Sequence, residues 1–331
     1  MKQFFERIGL ASSGGTLTVI FIVGFLGLAI ATGGNLFSHA SILSFFTYLC
    51  IPILIGLSQM AVLAVGQLNL AIGAMGGVVT AVMAVLMANI GLPVPLALMI
   101  GLLAGAGIGA INGLLVVFTG LNGFIVTLGT MTILIGVQYA LVQSFTIDGY
   151  SDALKDFGKL NVLGVPIVFV ITIGVAILVH LFFSRAVLGR RILATGGGEK
   201  AAMLSGISNA ASTVWAFLVS GVLVGVAGII TMTTLPGINR SIGGDWLLAS
   251  FAAPIIGGAL LTGGSSVVYG TIIAAMLLRL VDVARAQFSL DPSWTNFIIG
   301  AVVLTTVAIG EWRKRRHARS LLMRGKKEVL A

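Results

Sequence analysis

From Ile8 to Ile147 the chain carries no Lys, Arg, Asp or Glu. About 20 apolar residues carry a helix once across the hydrocarbon layer, so this stretch has room for several crossings. A lipid-spanning β-barrel would instead show alternation in ~10-residue segments, and none is present. The fold class that follows is all-α, a polytopic membrane protein. The rest of the chain agrees: 58% of residues are hydrophobic, only 9% are charged, and the mean hydropathy is +1.12. A soluble domain carries about 25% charged residues. The single Cys50 lies in an apolar run, which leaves neither a disulfide framework nor a metal-type cysteine spacing.

Breaks at Gly, Asn, Pro and charged residues divide the chain into ten expected spans. They are about 16–33, 41–64, 71–90, 95–118, 123–143, 164–183, 213–235, 248–262, 267–285 and 294–311. The span at 248–262 is short for a full crossing, which predicts a broken or tilted element. No small-residue cleavage site follows Lys2 and Arg7, so the first span is expected to stay attached. Ten crossings place both termini on the same side as the polar loop 184–212. That side then holds Lys2, Arg7, Arg185, Arg190, Arg191, Lys200 and the eight cations from Arg313 to Lys327, fourteen of the 19 Lys and Arg. The other side has Lys155, Lys159, Arg240, Arg279 and Arg285, with Asp148, Asp152, Asp156, Asp245, Asp282 and Asp291. The positive-inside bias therefore puts both termini, the loop and the basic tail 312–331 in the cytoplasm. Such a tail is accounted for as a topology anchor touching anionic lipid, with no role in nucleic-acid binding.

The 45 glycines are about twice the usual share and are spread through the apolar runs. Gly101, Gly105, Gly109 and Gly113 recur every fourth residue, so they share one helix face. A glycine groove of this kind lets helix backbones approach closely in lipid, either as fixed packing or as a surface that slides. Gly73/Gly77 and Gly221/Gly225 repeat the spacing. Gly-rich, weakly helical sequence also interrupts two regions, Gly66–Gly77 and Gly257–Gly270, as in transporters built from related halves.

Six amides lie inside apolar sequence: Gln59, Gln67, Asn69, Asn112, Asn122 and Gln138. An amide facing lipid is costly, so each should face protein or a water-filled path. Interhelical hydrogen bonding explains them; so does a neutral polar lining for a hydroxyl-rich solute, formed by Gln67, Asn69, Asn112, Asn122 and the glycines Gly257, Gly258, Gly263 and Gly264. No carboxylate sits securely in mid-span, which argues against ion-coupled secondary transport. The outer sequence Asp148–Lys159 is the nearest thing to a catalytic cluster and reads better as a solvated helix. No phosphate-binding G-x-x-x-x-G-K-[ST] loop, zinc motif or nucleophile elbow occurs, so no catalytic residue, metal site or cofactor is expected in this chain. If the chain is a transporter, the energy for transport should come from another subunit.

The basic island Gly189–Ile207, GRRILATGGGEKAAMLSGI, interrupts this apolar sequence. Gly196–Gly198 predict a flexible turn, and Glu199-Lys200-Ala201-Ala202-Met203-Leu204 a short helix ended by Ser205-Gly206. Glu199 at its start suits the helix dipole. Ala202, Met203 and Leu204 would form a small apolar surface for a partner's groove.

Four segments together resemble the permease subunits of ATP-binding-cassette sugar importers of the ribose/xylose/galactoside type. The stretch Gly66–Gly73, GQLNLAIG, is similar to that family's GGIDLSVG; Phe124–Met131 is the same as its FIVTLGTM. The island resembles its GRRIYAIGGNPEAARLSGI, and Leu247–Ser266 its LDAIAAVVIGGTSLxGGxG. The matches run from about residue 45 to 310. The resemblance implies a single permease domain over 1–331 with a type II-like ABC importer fold in the bacterial inner membrane. It implies partners as well: a second permease copy or paralogue, a cytoplasmic ABC ATPase that binds the ATP and Mg, and a periplasmic solute-binding protein delivering a sugar-like substrate. It further implies that Gly198–Gly206 is the ATPase-coupling helix. Asn69 stands where the family usually has Asp, Gln67 where it has Gly, Ala71 where it has Ser, and Ser265-Ser266 where Arg/Gly is common.

Overall fold

The computed structural model describes residues 13–305 except 144, 145, 149, 163, 290, 292, 295, 296, 299, 302 and 303. The basic tail, Lys2, Arg7 and much of the expected 294–311 span lie outside the described residues. The helices are α1 (Ser13–Ala31), α2 (His39–Leu63), α3 (Ile72–Ala88), α4 (Val94–Thr119), α5 (Gly123–Leu141), α6 (Asp152–Lys159), α7 (Ile167–Arg185), α8 (Val187–Gly197), α9 (Glu199–Leu204), α10 (Asn209–Thr234), α11 (Trp246–Ile256) and α12 (Val268–Gln287). Two-residue strands β1 (Thr146–Ile147), β2 (Asn161–Val162), β3 (Val165–Pro166) and β4 (Ile238–Asn239) pair as β1–β4 and β2–β3, both antiparallel. Among the described residues six helices, α1, α2, α4, α5, α7 and α10, are long and apolar enough to cross a membrane.

Side chains set several helix starts. Ser38 accepts from Ser41 N–H (3.3 Å) before α2, Asn122 from Phe124 N–H (2.9 Å) before α5, and Ser208 from Ala211 N–H (3.2 Å) before α10. Each cap meets one of the amides that a helix start leaves unpaired.

Helices α2 and α10 form the centre. Their most apolar windows are 44% and 56% buried, against 11% for α5. Around α10 lie α4, α2 and α3; α11 and α12 lean on α2; α5 covers α3, and α1 covers α12. Leu54, Leu57, Met60, Met75 and Val224 fill the core. Large apolar side chains such as Val23, Leu103, Phe118, Ile133 and Leu178 point outward and are more than half exposed. In water such a surface would aggregate; in a bilayer it meets hydrocarbon.

The groove glycines Gly101, Gly105, Gly109 and Gly113 are all buried along α4. A Cβ at Gly105 would stand 2.6 Å from the Gly221 carbonyl oxygen, and one at Gly109 2.3 Å from that of Phe217, so α4 and α10 touch backbone to backbone. Gly101 faces Met83 of α3 instead.

The short 248–262 span is broken, as its length predicts. Helix α11 stops at Ile256, and 257–266 leave the helical path. The next helix, Val268–Gln287, matches the expected 267–285 span and carries Arg279, Asp282 and Arg285 in its second half. Asp148 lies before α6, whose ion pairs are Lys155–Asp152 (3.9 Å) and Lys159–Asp156 (2.9 Å). Exposed pairs of this kind contribute little stability.

Candidate functional site

Between α2 and α3, residues 66–71 are not helical although they lie inside the bundle. Each unpaired peptide group in an apolar interior costs several kcal/mol, so the segment needs partners. Side chains supply them. The Gln67 Oε1 accepts from Gly123 N–H (2.7 Å), and the Thr127 hydroxyl accepts from Leu70 N–H (2.9 Å) while donating to Gly123 O (2.6 Å). Asn69 Oδ1 accepts from Ala71 N–H (2.9 Å), and its Nδ2 donates to Ser220 Oγ (3.3 Å). Ser220 Oγ in turn lies 2.7 Å from Ser58 Oγ. The Gln59 carboxamide spans the Asn69 backbone, donating to its carbonyl (3.0 Å) and accepting from its N–H (3.3 Å). Three helices, α2, α5 and α10, thus hold one break in place.

The second break, 257–266, leans on the first. Gly66 adopts φ +76°, and a Cβ there would stand 3.1 Å from Thr262 O. The Gly264 N–H donates to Ala64 O (3.0 Å). Into the same point comes Gly196 of α8: a Cβ on it would lie 2.0 Å from Ala64 O and 2.6 Å from Gly264 N. Gly263 and Gly264 face Gly196 and Gly197 in the same way. Three elements therefore meet through main chain alone, at a spot where no side chain fits. Gly257 packs on Gly270 and Thr271, which anchors the other end of the second break to α12. Gly258 has φ +98°.

The basic island forms a two-helix handle beside this junction. Gly196 and Gly197 belong to α8, which corrects the expected flexible turn. Ile192, Thr195 and Gly189 are buried at helical spacing, so α8 is pinned by its inner face while Arg190 and Arg191 remain exposed. Only Gly198 breaks the helix. Helix α9 ends as foreseen at Gly206, whose φ of +75° lets Ile207 N–H reach Ala202 O and Gly206 N–H reach Met203 O, each at 3.0 Å. This is the Schellman arrangement that meets orphan carbonyls at a helix end. Ala202 is 4% exposed and faces inward, so the expected apolar surface loses it; Met203 (63%) and Leu204 (86%) project outward. Glu199, Lys200, Ala201 and Ser205 are exposed too. Asn209 joins the parts: its Nδ2 donates to Glu199 O (3.0 Å) and its Oδ1 accepts from Thr195 Oγ1 (3.3 Å).

The amides singled out from sequence separate into groups. Gln67 and Asn69 are committed to the broken backbone. Asn122 is exposed at the start of α5, where its side chain is spent capping the helix. Asn112 is wholly buried, with Nδ2 3.9 Å from Met75 Sδ and no hydrogen-bond partner for Oδ1. Met75 Sδ also takes Asn69 Nδ2 (3.7 Å), so Asn112 and Asn69 flank one sulfur. Thr127, Ser58, Ser220 and Asn209 escaped the sequence reading. Ser and Thr usually bond their own helix carbonyls, so nothing in their local sequence marks a long-range contact.

Comparison with known proteins bears on this architecture. The D-allose transport system permease protein AlsC of Escherichia coli (strain K12) is 28% identical, over 81% of this chain and 82% of its own. The autoinducer 2 import system permease protein LsrD of Photorhabdus luminescens is 26% identical, over 88% and 89%. The fructose import permease protein FrcC of Rhizobium meliloti is 25% identical, over 90% and 85%. No solved structure matches. Residues 41–307, which contain both breaks and the handle, match the model of one family, and the chain belongs to it: the branched-chain amino acid transport system / permease component family.

Proposed function

We propose that this chain is the membrane-spanning permease subunit of an ATP-driven importer that carries a sugar or sugar-like polyol across the bacterial inner membrane into the cytoplasm. The observation that carries the reading is the handle: an exposed Met203–Leu204 tip fixed through Asn209 and Gly196 to both membrane breaks. A partner that grips the tip would move α8, and α8 touches Ala64 and Gly264 directly. Gly198–Gly206 is then the contact for a cytoplasmic ATPase, which binds the ATP and Mg. A second permease copy or paralogue and a periplasmic binding protein complete the importer. Ten crossings with both termini, the 184–212 loop and the 312–331 tail in the cytoplasm fit the charge bias, with α3, α11 plus 257–266, α12 and the expected 294–311 span crossing beside the six long helices.

Relatives that import D-allose, fructose and autoinducer 2 favour a small hydroxylated solute. The path runs along the breaks, past Gln67, Asn69, Asn112 and the 257–264 glycines. Asn112 is its strongest member, because a buried carbonyl oxygen left unpaired costs about 1–3 kcal/mol and its retention calls for a use. Asn122 is its weakest. The test is Leu204→Glu with the full importer in vesicles. The permease should stay folded, lose copurification of the ATPase and lose ATP-driven uptake. Normal assembly and uptake in that variant would overturn the reading.

A further inference from the structure

At the end of the bundle remote from the handle lies a cavity of about 330 Å³ that the transport reading has not used. Its size falls at the lower end for small-ligand sites. Its floor is apolar, made by Leu70 at the outer end of the first break and by Met131 and Ile135 of α5. Its rim carries Tyr139, Arg240 and Asp245. The loop bearing the two charges is held rigidly. Gln138 Nε2 donates to Ile242 O (3.0 Å), Gly243 O presses against Gly73, and β4 is paired with β1.

The charged groups are held but not used up. Asp245 occupies the N-cap position of α11, yet its side chain makes no capping bond. Among the described residues its carboxylate has no hydrogen bond or ion pair at all. Arg240 is half committed: Nε donates to Val142 O (2.7 Å) and Nη2 to Gln143 O (3.0 Å), with the guanidinium 5.4 Å from the Tyr139 ring centre. Three N–H groups remain for a ligand, both on Nη1 and the second on Nη2. The side edge of the guanidinium is taken by main-chain carbonyls, and its free end edge lines the same cavity as the Asp245 carboxylate, which disfavours an anion. A free Asp carboxylate accepts two hydroxyl protons, one Nη1 donates to a hydroxyl or ring oxygen, and the apolar floor receives carbon-bound hydrogens.

We propose that this cavity is a solute subsite within the permease itself and takes a neutral, monosaccharide-sized polyol. The proposal rests on the importer reading. It makes the first break a connection between two sites, with Gly66 at the handle junction and Leu70 and Gly73 on the cavity wall.

The experiment uses the full-length permease in nanodiscs, without ATPase or binding protein, and equilibrium dialysis against labelled neutral hexoses and pentoses. At least one sugar should bind saturably. Asp245→Asn should weaken it about tenfold or more, a loss of ~1.4 kcal/mol or more, with unchanged elution and melting. The control Asp156→Asn, on exposed α6, should bind as wild type. L-leucine is the zwitterionic comparison and should not bind. Saturable leucine binding in place of sugar, or sugar binding untouched by Asp245→Asn, would overturn the subsite. So would absence of sugar binding in a permease whose complete importer still transports one of the panel. A complete importer that moves no sugar would overturn the importer reading and the subsite with it.

Discussion

Replacing Gly196 by Ala adds a single carbon, and the structure says where it goes. The new Cβ would stand 2.0 Å from Ala64 O and 2.6 Å from Gly264 N, both main-chain atoms that no rotamer change can move aside. Relief requires α8 to back away from α2 and from the second break. Overpacking of this kind costs about 1–3 kcal/mol. The added carbon also pushes between the partners of the Gly264 N–H to Ala64 O bond, and a buried peptide group left unpaired costs another ~1–3 kcal/mol. The total is roughly 2–6 kcal/mol, enough to lower the melting midpoint by several degrees. The tip of the handle is untouched, so the ATPase should still copurify and hydrolyse ATP. Uptake should fall at least tenfold, because the handle no longer bears on the breaks. The comparison is Gly107→Ala in α4, where a Cβ meets nothing within 4 Å; there the exchange should leave uptake intact and add up to ~1 kcal/mol of helix preference. Thermal melting of the purified permease and vesicle uptake read both. If Gly196→Ala melts and transports as wild type, the three-way backbone contact does not exist as described.

Two further outcomes follow from the packing. Asn112→Leu removes the unpaired buried oxygen at similar volume, so it should raise the melting midpoint by a few degrees, as loss of a ~1–3 kcal/mol penalty requires, while reducing uptake; a destabilised variant with normal uptake would contradict both parts. Gly109→Val places branched carbons where a Cβ alone would lie 2.3 Å from Phe217 O, so α4 should separate from α10; a cysteine pair crosslinked across that interface in wild type should fail to crosslink in the variant.

What could be read from the sequence follows from how each feature is built. Helices facing lipid are declared by composition, which is why α1, α2, α4, α5, α7 and α10 lie close to their expected spans. Glycine every fourth residue reports a face, and Gly105 and Gly109 do lie on the backbone of α10. The handle helix was legible because Glu199 starts it and Gly206 stops it. Its neighbour α8 was not, since Gly196 and Gly197 look like a turn locally and are made helical by contacts with Ala64 and Gly264, far away in the chain. Inward-facing Ala202 was misjudged for a related reason: six residues are too few to show a period. The cavity near Asp245 was invisible because Tyr139 and Arg240 are about a hundred positions apart and meet only once β1 and β4 pair.

The way the first break is held also orders the making of the protein. When α2 and α3 leave the ribosome, the N–H groups of Gly66, Gln67, Asn69 and Ala71 have partners nearby in Leu63 O, Val62 O, Gln59 and the Asn69 side chain, whereas Leu70 N–H and the Gln67 and Asn69 side chains wait for theirs. Gly123 and Thr127, which engage Gln67 and Leu70, arrive some 55 residues later, and Ser220, which takes Asn69, about 150 residues later. Until then the Leu70 N–H and the two side-chain amides lack bonds that lipid cannot supply. The nascent chain therefore has to keep this stretch in a watery or protein-lined insertion channel until α5, and finally α10, come alongside. The first half of the chain inserts early, yet it settles last.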